Sequence, residues 1–337
     1  MDRTRSAASP PQRFYAPAAE RHAIAGHGRD SRPRHGSAPP NARAAPQGFP
    51  SASDSHGSHG SASTGTDTGA DAADFGGNVI VLTSPSGGIG LSVLAAMLAW
   101  ELHSRELSGA LVDADFRAGG LDVLLGLESE EGLRFGGLDA PLGRIEGEAL
   151  SRRLPQWEGI GVLAFDPWDG DAPNWWEIQA AIRALAEAND VVVVDAADGG
   201  ALDTVPGLSD SRQIVAIELS VLGVARAKAH MARFAARDGV AAGDGVSAGK
   251  SGGTSESGSA LAVVGIRPRG VRGNAGCLSV QEASDYLSYE VVGPLRFDRK
   301  LQRDLLEGLG IRRIGAGSAS CVRQVADQIE AWMKEER

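Results

Sequence analysis

Residues 79–92 read VIVLTSPSGGIGLS, an apolar run, then a glycine-rich turn, then the start of an apolar helix. In this strand–loop–helix grammar, backbone N–H groups and a helix N-terminus cradle an anion. The stretch predicts a phosphate loop leaving the carboxyl end of a buried strand. Its candidate ligand-facing residues are Ser86, Gly87, Gly88, Ile89, Gly90, Leu91 and Ser92. The position where such a loop needs its phosphate-reaching lysine is Leu91.

Downstream of the loop, short Val/Ile/Leu-rich runs alternate with helical patterns. Strands are predicted at 78–83, 109–113, 160–165, 191–195, 212–217, 260–266 and 290–295. Helices are predicted at 92–105, 174–188, 221–236, 279–288, 299–308 and 319–335. The run Val191–Val194 is apolar at every position, as a parallel strand buried on both faces must be. Alternating βαβα segments with right-handed crossovers predict an α/β fold. The expected sheet is doubly wound and mainly parallel, with about seven strands and helices on both faces. Ligands in such sheets bind beyond the carboxyl ends of the strands, where the glycine turn sits.

Composition divides the 337-residue chain in two. Residues 1–76 hold no Leu, no Val and a single Ile (Ile24), yet carry 8 of the 16 prolines and 5 of the 7 histidines. Such a stretch buries too little apolar surface to offset its ordering entropy, so it is expected to be disordered. The tail takes 8 of the 33 basic side chains and 7 of the 43 acidic ones, leaving the body 25 and 36, a net charge of −11. A body this acidic argues against unaided binding to nucleic acid, which runs on phosphate neutralisation. Long-range attraction to an anionic membrane is disfavoured for the same reason, leaving only weak or indirect association. Two cysteines, Cys277 and Cys321, form neither a metal spacing nor a disulfide framework, which fits a reducing cytoplasm. No stretch is apolar for the roughly 18 residues a membrane span needs, and the N-terminus lacks a secretory h-region.

Within the body, residues 238–259 (DGVAAGDGVSAGKSGGTSESGS) form a Gly/Ser-rich insertion, expected to be a flexible linker. It contains Gly249-Lys250-Ser251, which imitates the end of a Walker A motif. The glycine that motif requires at 244 is Asp244, and no strand precedes it. The tripeptide is therefore set aside.

Three segments carry candidate chemistry: the loop Ser84–Ser92, ALVDAD at 110–115, and VVVVD at 191–195. Nucleotide hydrolysis needs amides for phosphate oxygens and a hydroxyl on Mg²⁺. It also needs carboxylates at neighbouring strand ends. Ser92 and Asp195 are the candidate Mg²⁺ residues, and Asp115 or Asp113 the candidate water-positioning group. Each acid alone is better explained as a strand-end helix cap than as a catalytic group.

Taken in order, SPSGGIGLS, ALVDADFRAGGLD and VVVVDAADGG resemble the MinD/ParA superfamily of deviant-Walker ATPases. The late segment VGPLRFDRKLQRDLLEG (292–308) resembles the family's strand that ends in proline with an aspartate after it. The likeness covers about 78–335 and is nearest to the actinobacterial CpaE-like branch of septum-site-determining proteins. It implies ATP and Mg²⁺ as ligands, a homodimer, and protein partners in the division or the secretion and pilus apparatus. The expected setting is the cytoplasm, peripheral at the inner face of the cell membrane.

The departures from that pattern bear on activity. The family loop typically reads KGGxGK[ST], and here the lysine positions are Ser86 and Leu91. A charge-assisted phosphate contact contributes on the order of 1.5–3 kcal/mol, so losing two weakens ATP binding by roughly two to four decades. Little or no hydrolysis is expected. The nearest substitute cations are Arg117, just past the DAD, and Arg267, Arg269 and Arg272 after the strand at 260–266. An active, slow ATPase would draw on one of these.

Thr83–Gly90 (TSPSGGIG) also resembles the TGxxxGIG turn of short-chain dehydrogenases, with Asp113 at the ribose-binding distance. That family needs Tyr-x-x-x-Lys. Here Tyr286 is followed four residues later by Glu290 and Tyr289 by Gly293, which disfavours the reading.

Two apolar groupings remain. Trp157, Trp168, Trp175 and Trp176 gather around the loop 166–174, either as an exposed partner-binding patch or, the favoured reading, as a plug that holds that loop onto its own domain. The last helix repeats Val322, Val325, Ile329, Trp332 and Met333 at helical spacing. Its polar face carries too many acids for a membrane-surface helix, so packing on the sheet is expected.

Overall fold

The computed structural model describes residues 75–140, 143–168, 172–235, 261–271 and 276–335. Residues 1–74 of the predicted tail, the 238–259 insertion with Gly249–Ser251, and Arg272 lie outside them. Phe75 is buried and belongs to the core.

The chain forms an α/β sheet of eight strands: β1 (Val79–Thr83), β2 (Gly109–Asp113), β3 (Gln156–Trp157), β4 (Ile160–Leu163), β5 (Val191–Asp195), β6 (Arg212–Glu218), β7 (Leu261–Ile266) and β8 (Val291–Leu295). Their order is β3-β4-β2-β5-β1-β6-β7-β8. Every pairing is parallel except the edge pair β3–β4. The seven predicted strands are all present, and β3 is the addition. Two residues long and turned back by Glu158-Gly159, it is too short to carry a pattern of its own.

Side chains alternate across the sheet, and both faces are apolar. On one face Ile80, Leu82, Leu111, Val193 and Ile214 pack with α1 (Leu91–Ser104) and α9 (Ala316–Glu335). On the other, Val79, Val81, Val112, Val192 and Val194 meet α4 (Trp175–Ala188). Farther along that face, Val215, Ile217 and Val263 meet α6 (Val221–Ala235) and α7 (Val280–Leu287). The short helices α2 (Leu121–Leu125), α3 (Gly147–Arg153) and α5 (Gly200–Thr204) and the longer α8 (Arg299–Leu306) complete the two layers.

As the sequence pattern predicts, α9 packs on the domain: Cys321, Val322, Val325, Ala326, Ile329 and Trp332 are buried in the same core as α1. Arg105, just past the end of α1, ties the two helices together. Its guanidinium bonds Glu101, Asp327 (2.8 Å) and Glu330 (2.7 Å), which holds the Glu330 carboxyl below its usual range. No helix among the described residues is long and apolar enough to cross a membrane.

The tryptophans do not behave as one group. Trp157 is buried edge-on against Trp100, with ring centroids 5.4 Å apart. Trp168, Trp175 and Trp176 are exposed, which corrects the expectation that all four plug the loop. Asn174 and Glu177 close a capping box that fixes the start of α4, and Trp175 and Trp176 follow it in the exposed first turn.

Candidate functional site

The register of the central strands assembles the site. Leu82 and Asp113 both pair with Asp195, so the loop after β1 leaves the sheet beside two carboxylates. The ladder continues past the strands: the Ala196 N–H donates to the Leu82 carbonyl at 2.9 Å and the Ser84 N–H to the Ala197 carbonyl at 2.8 Å. Ala197 holds φ +46, a left-handed conformation that costs a non-glycine residue about 1 kcal/mol or more.

The glycine loop itself is pinned at its start. Ser84 Oγ accepts from the Ser86 N–H at 3.1 Å and donates to the Ser86 carbonyl at 3.0 Å. Gly88 (φ +71) and Gly90 (φ +106) occupy backbone conformations that glycine adopts freely, and Gly90 is the cap of α1 with no side-chain bond to the helix amides. A Cβ at Gly87 or Gly88 would meet nothing within 4 Å, so the loop frames open space.

That space is a cavity of about 460 Å³, lined among others by Ser86, Gly87, Gly88, Ser92, Asp115, Asp195 and Arg269. Ser86, at the first lost lysine position, is 8 % exposed, and its hydroxyl is buried with no hydrogen-bond partner. Leu91, at the second, is 8 % exposed and packs into the core with α1. Ser92 donates its hydroxyl to Asp195, whose carboxyl burial pushes above its usual range. Ile89 is buried and faces an adjoining apolar cavity of about 230 Å³, with Met97, Leu295 and Leu301.

The two acids of the DAD segment part company. Asp115 lines the cavity, with one oxygen accepting from the Arg117 and Ala118 amides. Asp113 is 2 % exposed and is tied down from two sides: Oδ1 accepts from the Asp115 N–H at 3.0 Å and Oδ2 from the Leu121 N–H at 3.1 Å. It does not line the cavity. Burial, opposed by those two amides and helped by the Asp195 charge, pushes the Asp113 carboxyl up to about 7.

That shift has a sign. A carboxyl that stays protonated in the fold and ionises in the unfolded chain stabilises most at low pH. Unfolding free energy is expected to fall as pH rises from about 4 to about 7, then level off. Asp113→Asn should flatten this slope in a pH series of urea denaturations. An unchanged slope would place its origin elsewhere.

The substitute arginines are also sorted by the fold. Arg117 lines the cavity but is 84 % exposed at its side chain and faces Asp198 at 3.4 Å. Arg267 lies off the phosphate cavity, lining the adjoining apolar one, and its backbone N–H donates to the Leu295 carbonyl at 3.0 Å. Arg269 lines both cavities.

Behind the loop, His230 of α6 is buried with Nε2 3.0 Å from Thr83 Oγ1, at the last residue of β1. Burial lowers its pKa. His230 carries no sequence signal, being a lone histidine on a helix; the cavity-lining Ala197 and Asp198 lie inside the VVVVDAADGG stretch but are not among the predicted site residues.

Known structures share this architecture. The MinD of the MinC:MinD cell division protein complex from Aquifex aeolicus aligns with a TM-score of 0.55 and 19% identity, over 77% of this chain and 97% of that one. A ParA family ATPase from Chlorobium tepidum TLS aligns at 0.52 and 14% identity, over 77% and 98%. The septum site-determining protein MinD complexed with Mg-ADP from Pyrococcus horikoshii OT3 aligns at 0.51 and 15%, over 77% and 98%. The fold is that of the MinD and ParA ATPases. No family model matches the chain. By sequence it is 38% identical over 88 residues to uncharacterized proteins of two Mycobacterium tuberculosis strains, CDC 1551 / Oshkosh and ATCC 25618 / H37Rv. That stretch is 26% of this chain and only 24% of those relatives.

Proposed function

We propose that this protein is a MinD/ParA-type regulator with a degenerate nucleotide site, one that binds Mg-ATP or Mg-ADP weakly and hydrolyses it little or not at all. The observation that carries the reading is the phosphate cradle: two glycines with open space above them and a buried, unpartnered Ser86 hydroxyl beside the capless start of α1. An anion would give that hydroxyl and those amides the partners they lack.

The residues also fit Mg²⁺. Ser92 and Asp195 sit side by side at the cavity wall and would hold the ion. When bound, it would supply positive charge against the phosphates. Among the described residues no group of three or more His, Cys, Asp and Glu gathers as a metal cage. This suits an ion that keeps its waters and takes its other ligands from phosphate. The cavity wall carries Asp115, Asp195 and Asp198 against Arg117 and Arg269, so an anion without a divalent cation meets a net negative surface.

Weak hydrolysis follows from the loop. With Ser86 and Leu91 in the lysine positions, no ammonium offsets charge building on the transferred phosphoryl group. The fold is then kept as a platform that acts through protein partners, with a nucleotide-dependent homodimer as its assembled form. We place those partners in division-site placement or in the assembly of a secretion or pilus machine. The solved neighbours named for cell division and septum-site determination support that placement, as does the order of the three motifs.

The test is calorimetric titration of Mg-ATP, Mg-ADP and NADH into the full chain. Mg-ATP and Mg-ADP are expected to bind with comparable affinity, and binding should vanish on adding EDTA or on Asp195→Ala. Phosphate release should stay at background. Silence toward both nucleotides at millimolar concentration would refute the nucleotide reading, and binding of NADH alone would redirect it to the dehydrogenases.

A further inference from the structure

We propose that Arg269, on the loop after β7, supplies the positive charge that the phosphate loop has lost and grips the phosphates of a bound nucleoside di- or triphosphate. The inference rests on the nucleotide reading above and names the residue that makes it workable.

Position is the first argument. Among the basic residues of the described chain, Arg269 and Arg117 line the phosphate cavity. Arg269 also lines the adjoining apolar cavity, so it stands where the two meet. Its Nη2 lies 3.8 Å from the point a Cβ on Gly90 would occupy. Gly90 caps α1, whose first amides have no side-chain partner. A guanidinium over that point faces the same anion that the amides face.

Availability is the second. Arg117 already faces Asp198 at 3.4 Å, so part of its charge is spoken for. Arg267 does not line the phosphate cavity; it lines the apolar cavity and a separate cleft near Cys277. The lysine positions themselves offer nothing: Leu91 is in the core and Ser86 is neutral. Arg269 is exposed, and among the described residues no hydrogen bond or ion pair holds it. Asp298, the one carboxylate among the described residues lining the apolar cavity, is taken by Arg313 at 3.7 Å and by the amides of Lys300 and Leu301 at the start of α8.

Chemistry is the third. A guanidinium presents a planar fork that engages two phosphate oxygens at once, whereas an ammonium acts as a point charge. Arg269→Lys is therefore not conservative here.

The test titrates Mg-ADP and Mg-ATP into the full chain and into R269A, R269K and R117A, with thermal melts to confirm that each variant is folded. About a tenfold or greater loss of affinity is expected for R269A, with only partial recovery in R269K and a smaller loss in R117A. Inorganic pyrophosphate should compete for the site in the wild type and lose most of that competition in R269A. If the wild type binds nucleotide and R269A binds it equally well, the assignment of Arg269 falls while the nucleotide reading stands. If the wild type binds neither nucleotide, both fall together.

Discussion

Trp332→Ala is expected to lower the unfolding free energy by about 3–5 kcal/mol, the largest stability loss of any single substitution considered. Trp332 is 1 % exposed and sits near the end of α9, in the core that α9 shares with α1 and the sheet. Deleting the indole leaves a cavity in the core that α9 shares with α1, near the end of α1 where Arg105 pairs with Glu330 and away from the phosphate loop. The ring carries its own liability, because its Nε1–H is buried with no hydrogen-bond partner. Trp332→Phe removes that unsatisfied donor while keeping much of the apolar volume. It should therefore cost far less than the alanine variant, about 1–2 kcal/mol. Urea denaturation of both variants checks this. For a body of this size the melting temperature should drop some 2–4 °C per kcal/mol. Equal losses for Phe and Ala would mean that a phenyl ring recovers none of the indole's packing. A loss under 1 kcal/mol for Ala would mean that α9 is not part of the cooperative fold.

The same helix shows why much of the architecture was legible in the sequence. Val322, Val325, Ile329 and Trp332 recur at helical spacing, and a stripe of that kind has to be covered. The strands were legible for the complementary reason: a run such as Val191–Val194 has no polar face, so only a strand covered on both sides accommodates it. What escaped was short. The helices α2 and α5 are five residues each, less than two turns, and no periodicity can be read from them. The exposed tryptophans escaped because hydrophobicity says what prefers burial, whereas Trp175 and Trp176 stand in the first turn of α4, outside its buried set.

The site divides the same way. Glycines, Ser92 and the strand-end acids are adjacent in sequence to the elements that place them, so the motif order located them. The separate fates of Asp113 and Asp115, and the choice among three arginines, depend on loops meeting in space. Two backbone amides capture Asp113, and a salt bridge with Asp198 occupies Arg117. No pattern in one chain encodes either event.

Leu91→Lys should tighten Mg-ATP binding by about ten- to a hundredfold, the gain of one charge-assisted contact. Leu91 is the first residue of α1 and belongs at once to the core cluster and to the cavity lining. A lysine there can lay its aliphatic stem along the leucine's apolar contacts and extend its ammonium to the cavity. Gly87 and Gly88 leave that volume open, since nothing lies within 4 Å of where their side chains would start. The exchange gives up some packing, and a fall in stability of about 1–3 kcal/mol is expected in the absence of ligand. Nucleotide should offset that fall, so the melting temperature of L91K should rise with Mg-ATP concentration more steeply than that of the wild type. Coupling to Arg269 follows from geometry, because both cations would address one anion. In a double-mutant cycle with R269A, the loss caused by removing Arg269 should be smaller in the L91K background than in the wild type. Unchanged affinity in L91K would show that missing charge is not what limits this site, and that the loop has closed to nucleotide in some other way. Full additivity in the cycle would show that the two side chains never share a ligand.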